Sequence, residues 1–509
     1  MTNYAKKTLI GTVYIFAISL LAALVGYTIR IVLTRGLTKE GYGLFYAVLA
    51  FFGLLVIFKD FGLNQALVKF VSDYIHKKDY SGIKSVIISV FSIQMTLSAA
   101  LCLIMILLSD IIARYFFHAE SASLIIKFLA LMFLLMPVEN LLVYSFQAFQ
   151  RMFLYASVSL LKMLTILVLV LVFLKVGMDV LAPSVAYFLA YIIVPLILIP
   201  FFFKTFPQFF EARFHMPRKT LKRILGFGLT LLVGVLGGVI MLNTDTVVLT
   251  YFGGVEEVAL YQVASPTASI VLYFAYAVSG VLLPLAAELW LKGRKQKLKT
   301  AMELIYKYSF IIVVPIALLM LLFPKLILTI LFTAEYADAA PAMQILVVGM
   351  IFYTLGHINL NVLTGIGKPI EGTKIVVYAA LFNLVTNLLL IPRFGIVGAA
   401  FTTMLSWIIV LGLTSYKIKR YVNAHAPLWG WTKNFVAGMA FVAVISILKA
   451  WLDMNMWAEL IISVGAASLV YAALVLAFRL VTKEDFNFLK YALGKGEAEV
   501  SNVQGQDNV

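Results

Sequence analysis

Cysteine is nearly absent: the single Cys102 lies inside an apolar run, so the chain has no disulfide framework, thiol pair or cysteine-based metal cluster. Charge is scarce too, with Asp, Glu, Lys and Arg making up 13% of the 509 residues, about half the share of an average soluble domain. No polar stretch is long enough to fold separately, the longest interruption between apolar runs being residues 204–222. A G-x-x-x-x-G-K-[ST] phosphate loop, clustered His, Asp and Glu ligands, and a nucleophile elbow are all missing. These absences exclude soluble enzymes, disordered regulators and disulfide scaffolds. What fills the chain is apolar: 63% of residues come from the set AVILMFWYC, 14% are aromatic, and the mean hydropathy is +1.01. Too few charges exist to cover that surface in water, and a bilayer is the solvent that suits it.

A helix crosses the hydrocarbon layer with about 20 predominantly apolar residues. Fourteen such runs can be counted, from 9–34 to 457–478, which predicts an all-α integral membrane protein. Lipid leaves open backbone groups unsatisfied, so runs of this length are read as helices even where Val, Ile and Phe dominate. The short alternating segments of a β-barrel are not visible. The net charge of +16 is explained by its location. With the N-terminus inside, the inner segments carry 27 of the 40 Lys and Arg and the outer loops 8. That asymmetry predicts both termini in the cytoplasm of a multi-pass cell-membrane protein, and it assigns the basic excess to anionic lipid headgroups rather than nucleic acid. The 204–222 segment interleaves Phe206, Phe209, Phe210 and Phe214 with Lys204, Arg213, Arg218 and Lys219, a pattern for an amphipathic linker lying on the inner surface. The residues beyond Lys495, rich in Glu, Asn and Gln, read as a disordered end to a cytoplasmic tail over 481–509.

The linker divides the apolar runs. Six precede it in an N-terminal lobe (1–203), six follow in a C-terminal lobe (223–418), and spans 13 and 14 occupy 419–480. At an offset of 216 residues, Val32, Leu33 and Thr34 fall on Val248, Leu249 and Thr250, Glu40 on Glu256, Leu44 on Leu260 and Phe45 on Tyr261. An offset spanning an even number of helices gives a parallel repeat, two lobes related by a pseudo-two-fold axis along the membrane normal with a path between them. Gly41 and Gly43 bracket Tyr42 where close backbone approach is expected, and Gly395, Gly398, Ala399 and Ala400 open span 12 with small residues for tight packing.

Three segments carry a family resemblance: RIVLTRGLTKEGYGLFYAV (30–48), KDFGLNQALVKF (59–70), and GIGKPIEGTK (365–374) followed by NLVTNLLLIPRFGIVGAAFTTMLS (383–406). With them, and over nearly its whole length, the chain resembles the polysaccharide flippases of the multidrug/oligosaccharidyl-lipid/polysaccharide (MOP) exporter superfamily. The resemblance implies alternating access by two bundles and movement of a polyprenyl-phosphate- or pyrophosphate-linked oligosaccharide from the cytoplasmic to the outer leaflet. It implies no catalysis and no cofactor. In the absence of an ATPase motif, the drive is an ion gradient, H+ or Na+, the membrane potential, or consumption of the product; a monomer is the simplest assembly.

A charge at a helix centre costs about 2.5 to 3.5 kcal/mol on insertion scales, so each in-span charge needs a partner or a wet cavity. Arg30, Lys162 and Lys307 are the candidate cations for a substrate phosphate; Arg30 can alternatively snorkel to the outer headgroups and Lys307 to the inner ones between Tyr306 and Tyr308. Asp60, Glu139, Asp245 and His357 are the candidates for ion coupling or gating. Glu139 and Lys162 lie at equal distance from the turn near 150, so they share a depth and can equally form a buried ion pair. Asp60 can simply anchor local packing. His357 joins Asn359 and Asn361 in a polar patch, and Asn383 and Asn387 share one face for bonding a neighbouring helix. Arg30 and Asp245 fall at similar depth in the two lobes and are expected to pair across the axis. Two other functions compete: an ion-coupled drug or cation antiporter of the same superfamily, whose cavity would favour acids, and a membrane glycosyltransferase or ligase, which would need a larger acid-bearing outer loop than residues 110–123 provide.

Overall fold

The computed structural model describes residues 3–452 and 455–482; the 483–509 part of the predicted cytoplasmic tail lies outside the described residues. The first half begins with α1 (Asn3–Gly36), α2 (Lys39–Leu55), the short α3 (Ile57–Asp60), α4 (Leu63–His76) and α5 (Tyr80–Tyr115). It continues with α6 (Ala122–Ala148), α7 (Met152–Lys175) and α8 (Leu181–Thr205). Then come α9 (Arg218–Phe252), α10 (Gly254–Ala268), α11 (Leu272–Leu291), α12 (Lys295–Leu322), α13 (Pro324–Leu331) and α14 (Ala340–Gly365). The chain closes with α15 (Pro369–Val422), α16 (Leu428–Trp451) and α17 (Met456–Ala477). No strand occurs among the described residues. Among the described residues, eleven segments are long and apolar enough to cross a bilayer, and the protein is a multi-pass membrane protein.

Fourteen crossings were expected, and two of the regions that contain them are built differently from separate straight spans. The 54 residues of α15 form one element although Gly395 adopts φ 54 and ψ −134, a non-helical break. Residues 254–291 are divided into two shorter helices by a 3-10 turn at Ser269–Val271.

A further break separates α3 from α4, where Phe61 (φ 42) and Gly62 (φ 70) are both left-handed. Gly62 is required there on two counts. Its φ is costly for other residues, and an added Cβ would run into the Gly228 carbonyl of α9. Interior prolines such as Pro137 in α6 and Pro315 in α12 are tolerated because neighbouring helices take up the freed backbone groups.

Helix packing joins the two halves of the chain. In the first, α1 lies on α7, and α6 on α5 and α8; in the second, α14 and α9 both pack on α15, while α16 packs on α12 and α17. Between them, α2 meets α9 and α10, α4 meets α9, and α1 meets α11. One apolar core runs from Ile29, Leu33 and Phe45 through to Leu249, Val263 and Leu346. The linker is tied down: Lys84 Nζ donates to the Ala212 carbonyl at 2.9 Å and the His215 amide donates to Ser85 Oγ at 2.9 Å. Phe206 is buried while Phe210 and Phe214 are exposed.

Candidate functional site

Arg30 is held where α1, α2 and α10 meet. Its Nη1 donates to the Gln262 carbonyl at 2.9 Å, to Gln262 Oε1 at 3.1 Å and to Tyr42 Oη at 3.4 Å, and its guanidinium carbon lies 4.2 Å from the Tyr46 ring centroid. It is half-buried, and no acid pairs with it among the described residues. A guanidinium stacked on one aromatic ring and bonded to neutral groups keeps its full positive charge and spare N–H donors.

The expected Arg30–Asp245 pair does not form in this structure. Asp245 and Thr246 are adjacent on α9, and successive residues of a helix point about 100° apart. Thr246 therefore meets Gln262 of α10, accepting from its Nε2 at 2.7 Å, while Asp245 turns toward α15 and the neighbouring Tyr261 of α10. Both Asp245 oxygens are taken by neutral donors: Asn387 Nδ2 at 2.6 Å on Oδ1, and Tyr261 Oη and Thr403 Oγ1, each at 2.5 Å, on Oδ2. Asn387 also donates to Asn383 Oδ1 at 3.0 Å and accepts from Thr402, so the two asparagines bond neighbouring helices as their spacing predicted. The result is a buried set of one carboxylate with amide and hydroxyl oxygens. Asn387, Tyr261 and Thr403 each point a hydrogen at the carboxylate, so Asp245 is met by hydrogen bonds rather than by a cationic side chain.

Glu139 and Lys162 do pair, at 2.7 Å, with little of either side chain exposed. Lys162 Nζ also donates to Tyr191 Oη at 3.4 Å, while Glu139 Oε2 is buried without a hydrogen bond. Nearby lies Lys59, which the sequence marks only as an in-span cation. It is wholly buried, its Nζ makes no hydrogen bond, and it sits 5.1 Å from the Phe133 ring. Asp60 is local: its Oδ1 accepts from the Asn64 amide and from Gln94 Nε2, both at 3.2 Å, which fastens the start of α4 across the Phe61–Gly62 break.

The remaining two candidates stand apart from these. Lys307 is half-buried on α12 with its Nζ 5.8 Å from the Tyr308 ring. His357 Nδ1 lies 3.1 Å from Ser279 Oγ and 3.2 Å from Asn361 Nδ2, with Tyr276 and Tyr353 edge-on at 5.0 and 5.7 Å. Asn359 leaves the expected patch and turns to Tyr306, Thr414 and Ser415. Sequence reasoning missed Gln262 and Tyr46 as the partners of Arg30. The 216-residue offset maps Arg30 onto Thr246 and Tyr46 onto Gln262, and both interhelical contacts, Arg30–Tyr46 and Thr246–Gln262, occur.

This helical arrangement has counterparts of known sequence. The profile described as polysaccharide biosynthesis protein matches residues 8–290. The chain belongs to that family, within the MOP superfamily. Members are transport proteins, not enzymes. A second profile, MatE, matches residues 230–389. Family relatives include the uncharacterized membrane protein MJ1068 of Methanocaldococcus jannaschii, 32% identical over 465 residues covering 89% of this chain and 92% of the relative. The probable low-salt glycan biosynthesis flippase Agl15 of Haloferax volcanii is 22% identical over 89% of this chain and 93% of its own. Among solved structures, the lipid II flippase MurJ in an inward closed conformation superposes with a TM-score of 0.75 at 16% identity, over 92% of this chain and 99% of that one; that likeness establishes the fold.

Proposed function

We propose that the protein is a flippase that moves a polyprenyl-phosphate- or pyrophosphate-linked oligosaccharide from the cytoplasmic to the outer leaflet of the cell membrane, for assembly of a surface polysaccharide or glycan. One observation carries the reading: Arg30, between helices of the two halves, is bonded only to neutral groups and so presents a guanidinium fork to an anionic headgroup. A phosphate would compete with the amide oxygens of Gln262 for the same donors. Lys162 and Lys307 are further cations for that headgroup, Lys162 on condition that the phosphate displaces Glu139. The family match and the glycan flippase among the relatives support the substrate class.

The transport cycle in this reading is alternating access between two six-helix lobes, 1–203 and 223–418, with fourteen crossings in all and both termini cytoplasmic. Support for the repeat comes from the α2–α10 contact, where a Cβ on Gly43 would lie 3.1 Å from the Cβ of Ala259, its partner at the 216-residue offset. Residues related by a two-fold axis meet each other where the axis passes between them. Asp245 is the coupling site for H+ or Na+, and Glu139, Asp60 and His357 are gating positions. A monomer contains both lobes and so the whole path.

A second reading, an ion-coupled antiporter of organic cations, is favoured by the MatE match. Mass spectrometry of lipid extracts from cells with and without the protein, combined with a leaflet-accessibility probe, separates the two. Build-up of a complete lipid-linked glycan on the cytoplasmic side in its absence is the expected result. No build-up, together with sensitivity to organic cations, would overturn the flippase assignment.

A further inference from the structure

One cavity lies away from all of these charges, between the α6–α7 turn and the end of α8. Gln150, Arg151 and Phe153 line one side and Phe201, Lys204 and Thr205 the other, around about 430 Å³. The turn is tight: Gln150 is left-handed (φ 57), and the Arg151 amide donates back to the Phe146 carbonyl at 2.8 Å. That geometry sets Arg151 at the entry to α7, opposite Lys204 in the last turn of α8.

The charge in this cavity is one-sided. No Asp or Glu lines it, and among the described residues neither Arg151 nor Lys204 has a side-chain hydrogen bond or ion pair. Lys84, attached to the linker at the same end of the bundle, contrasts with them: its ammonium is committed to the Ala212 carbonyl and lies 5.0 Å from the Phe209 ring. Two like charges sharing one cavity repel, and an anion between them converts that repulsion into attraction. Beside the cations the wall turns apolar, with Phe153 61% and Phe201 45% exposed. Cations beside exposed aromatic side chains at a helix end match the boundary between headgroups and acyl chains.

We propose that this cavity binds an anionic membrane phospholipid, its headgroup phosphate between Arg151 and Lys204 and its acyl chains running past Phe153 and Phe201. The site is independent of the transported substrate and stands whether the chain flips glycans or exports cations. Its occupant is a lipid rather than free phosphate because an apolar wall of exposed phenylalanines adjoins the charged one.

Native mass spectrometry of the detergent-purified full chain tests it, with phosphatidylglycerol and phosphatidylcholine added in parallel. The expected result is retention of phosphatidylglycerol over phosphatidylcholine. Retention should fall about tenfold or more in Arg151→Gln/Lys204→Gln and stay unchanged in the control Lys175→Gln/Lys325→Gln, two exposed cations outside the cavity. Equal retention of both lipids, or no loss in the first variant, would overturn the proposal. Thermal stabilisation of the wild-type chain supplies a second readout. Phosphatidylglycerol should raise Tm and inorganic phosphate should not; an equal rise with phosphate would rule out the lipid assignment.

Discussion

Gly43 of α2 and Ala259 of α10 meet face to face. A Cβ added to Gly43 would lie 3.1 Å from that of Ala259 and would overlap the Val255 carbonyl oxygen. The two residues are 216 positions apart, the same offset that aligns Val32–Thr34 with Val248–Thr250. Gly43 is fully surrounded, and the oxygen it abuts is backbone, which cannot rotate away. Gly43→Ala is therefore expected to destabilise the α2–α10 contact by about 1–3 kcal/mol, the usual cost of overpacking, read as a lower Tm of the purified protein. A Tm equal to wild type would show that the contact is looser than the geometry describes.

The Glu139–Lys162 pair should behave as a buried couple. Lys162→Met leaves Glu139 charged and unpartnered in the bundle and should cost about 3–5 kcal/mol, whereas Glu139→Gln/Lys162→Met together should recover most of that loss. A double-mutant cycle on denaturation midpoints measures the coupling. If the two single changes simply add, the pair contributes nothing to the fold. Transport lost in a well-folded double variant would in turn support a direct role for Lys162.

Exchanging Arg30 and Asp245 should fail to restore transport. Each sits in a different neutral setting, Arg30 against Gln262 and Tyr46, Asp245 against Tyr261, Asn387 and Thr403. Arg30→Asp/Asp245→Arg would place an arginine among hydrogen-bond donors and an aspartate on a ring face. Leaflet-accessibility assays of Arg30→Asp, Asp245→Arg and the exchange check this; recovery in the exchange would mean that the two side chains meet in another state of the cycle.

Gly395 breaks α15 with a φ of 54, and a Cβ there would strike the Glu257 carboxylate. The Glu257 carboxylate is thus packed directly against the break. Gly395→Ala should cost at least about 1–2 kcal/mol from the left-handed backbone alone, with a further loss from the displaced Glu257. Adding Glu257→Ala should relieve the steric part. Denaturation midpoints of the single and double variants separate the two effects, and a midpoint unchanged in Gly395→Ala would refute the strain at this break.

Much of this protein follows from pattern alone. Long apolar runs dictate helices because lipid offers the backbone no partner. The i, i+4 asparagines at 383 and 387 and the equal depth of Glu139 and Lys162 follow from helix geometry, and the structure bonds both pairs across helices. Such readings depend on spacing within one helix or across one turn.

Partner choice between distant helices is different in kind. Depth placed Arg30 level with Asp245, but rotation about the helix axis decides which neighbour a side chain reaches, and one residue along α9 changes that direction by about 100°. Hence Thr246, not Asp245, faces Gln262, and Arg30 ends against an amide rather than a carboxylate. The same holds for Lys59, whose burial beside Phe133 results from the packing of α3 on its neighbours. Hydropathy and charge counts determined that the chain spans a membrane, since they depend only on composition along the chain. Tertiary packing alone decided which charges meet, because that depends on the azimuth of each helix.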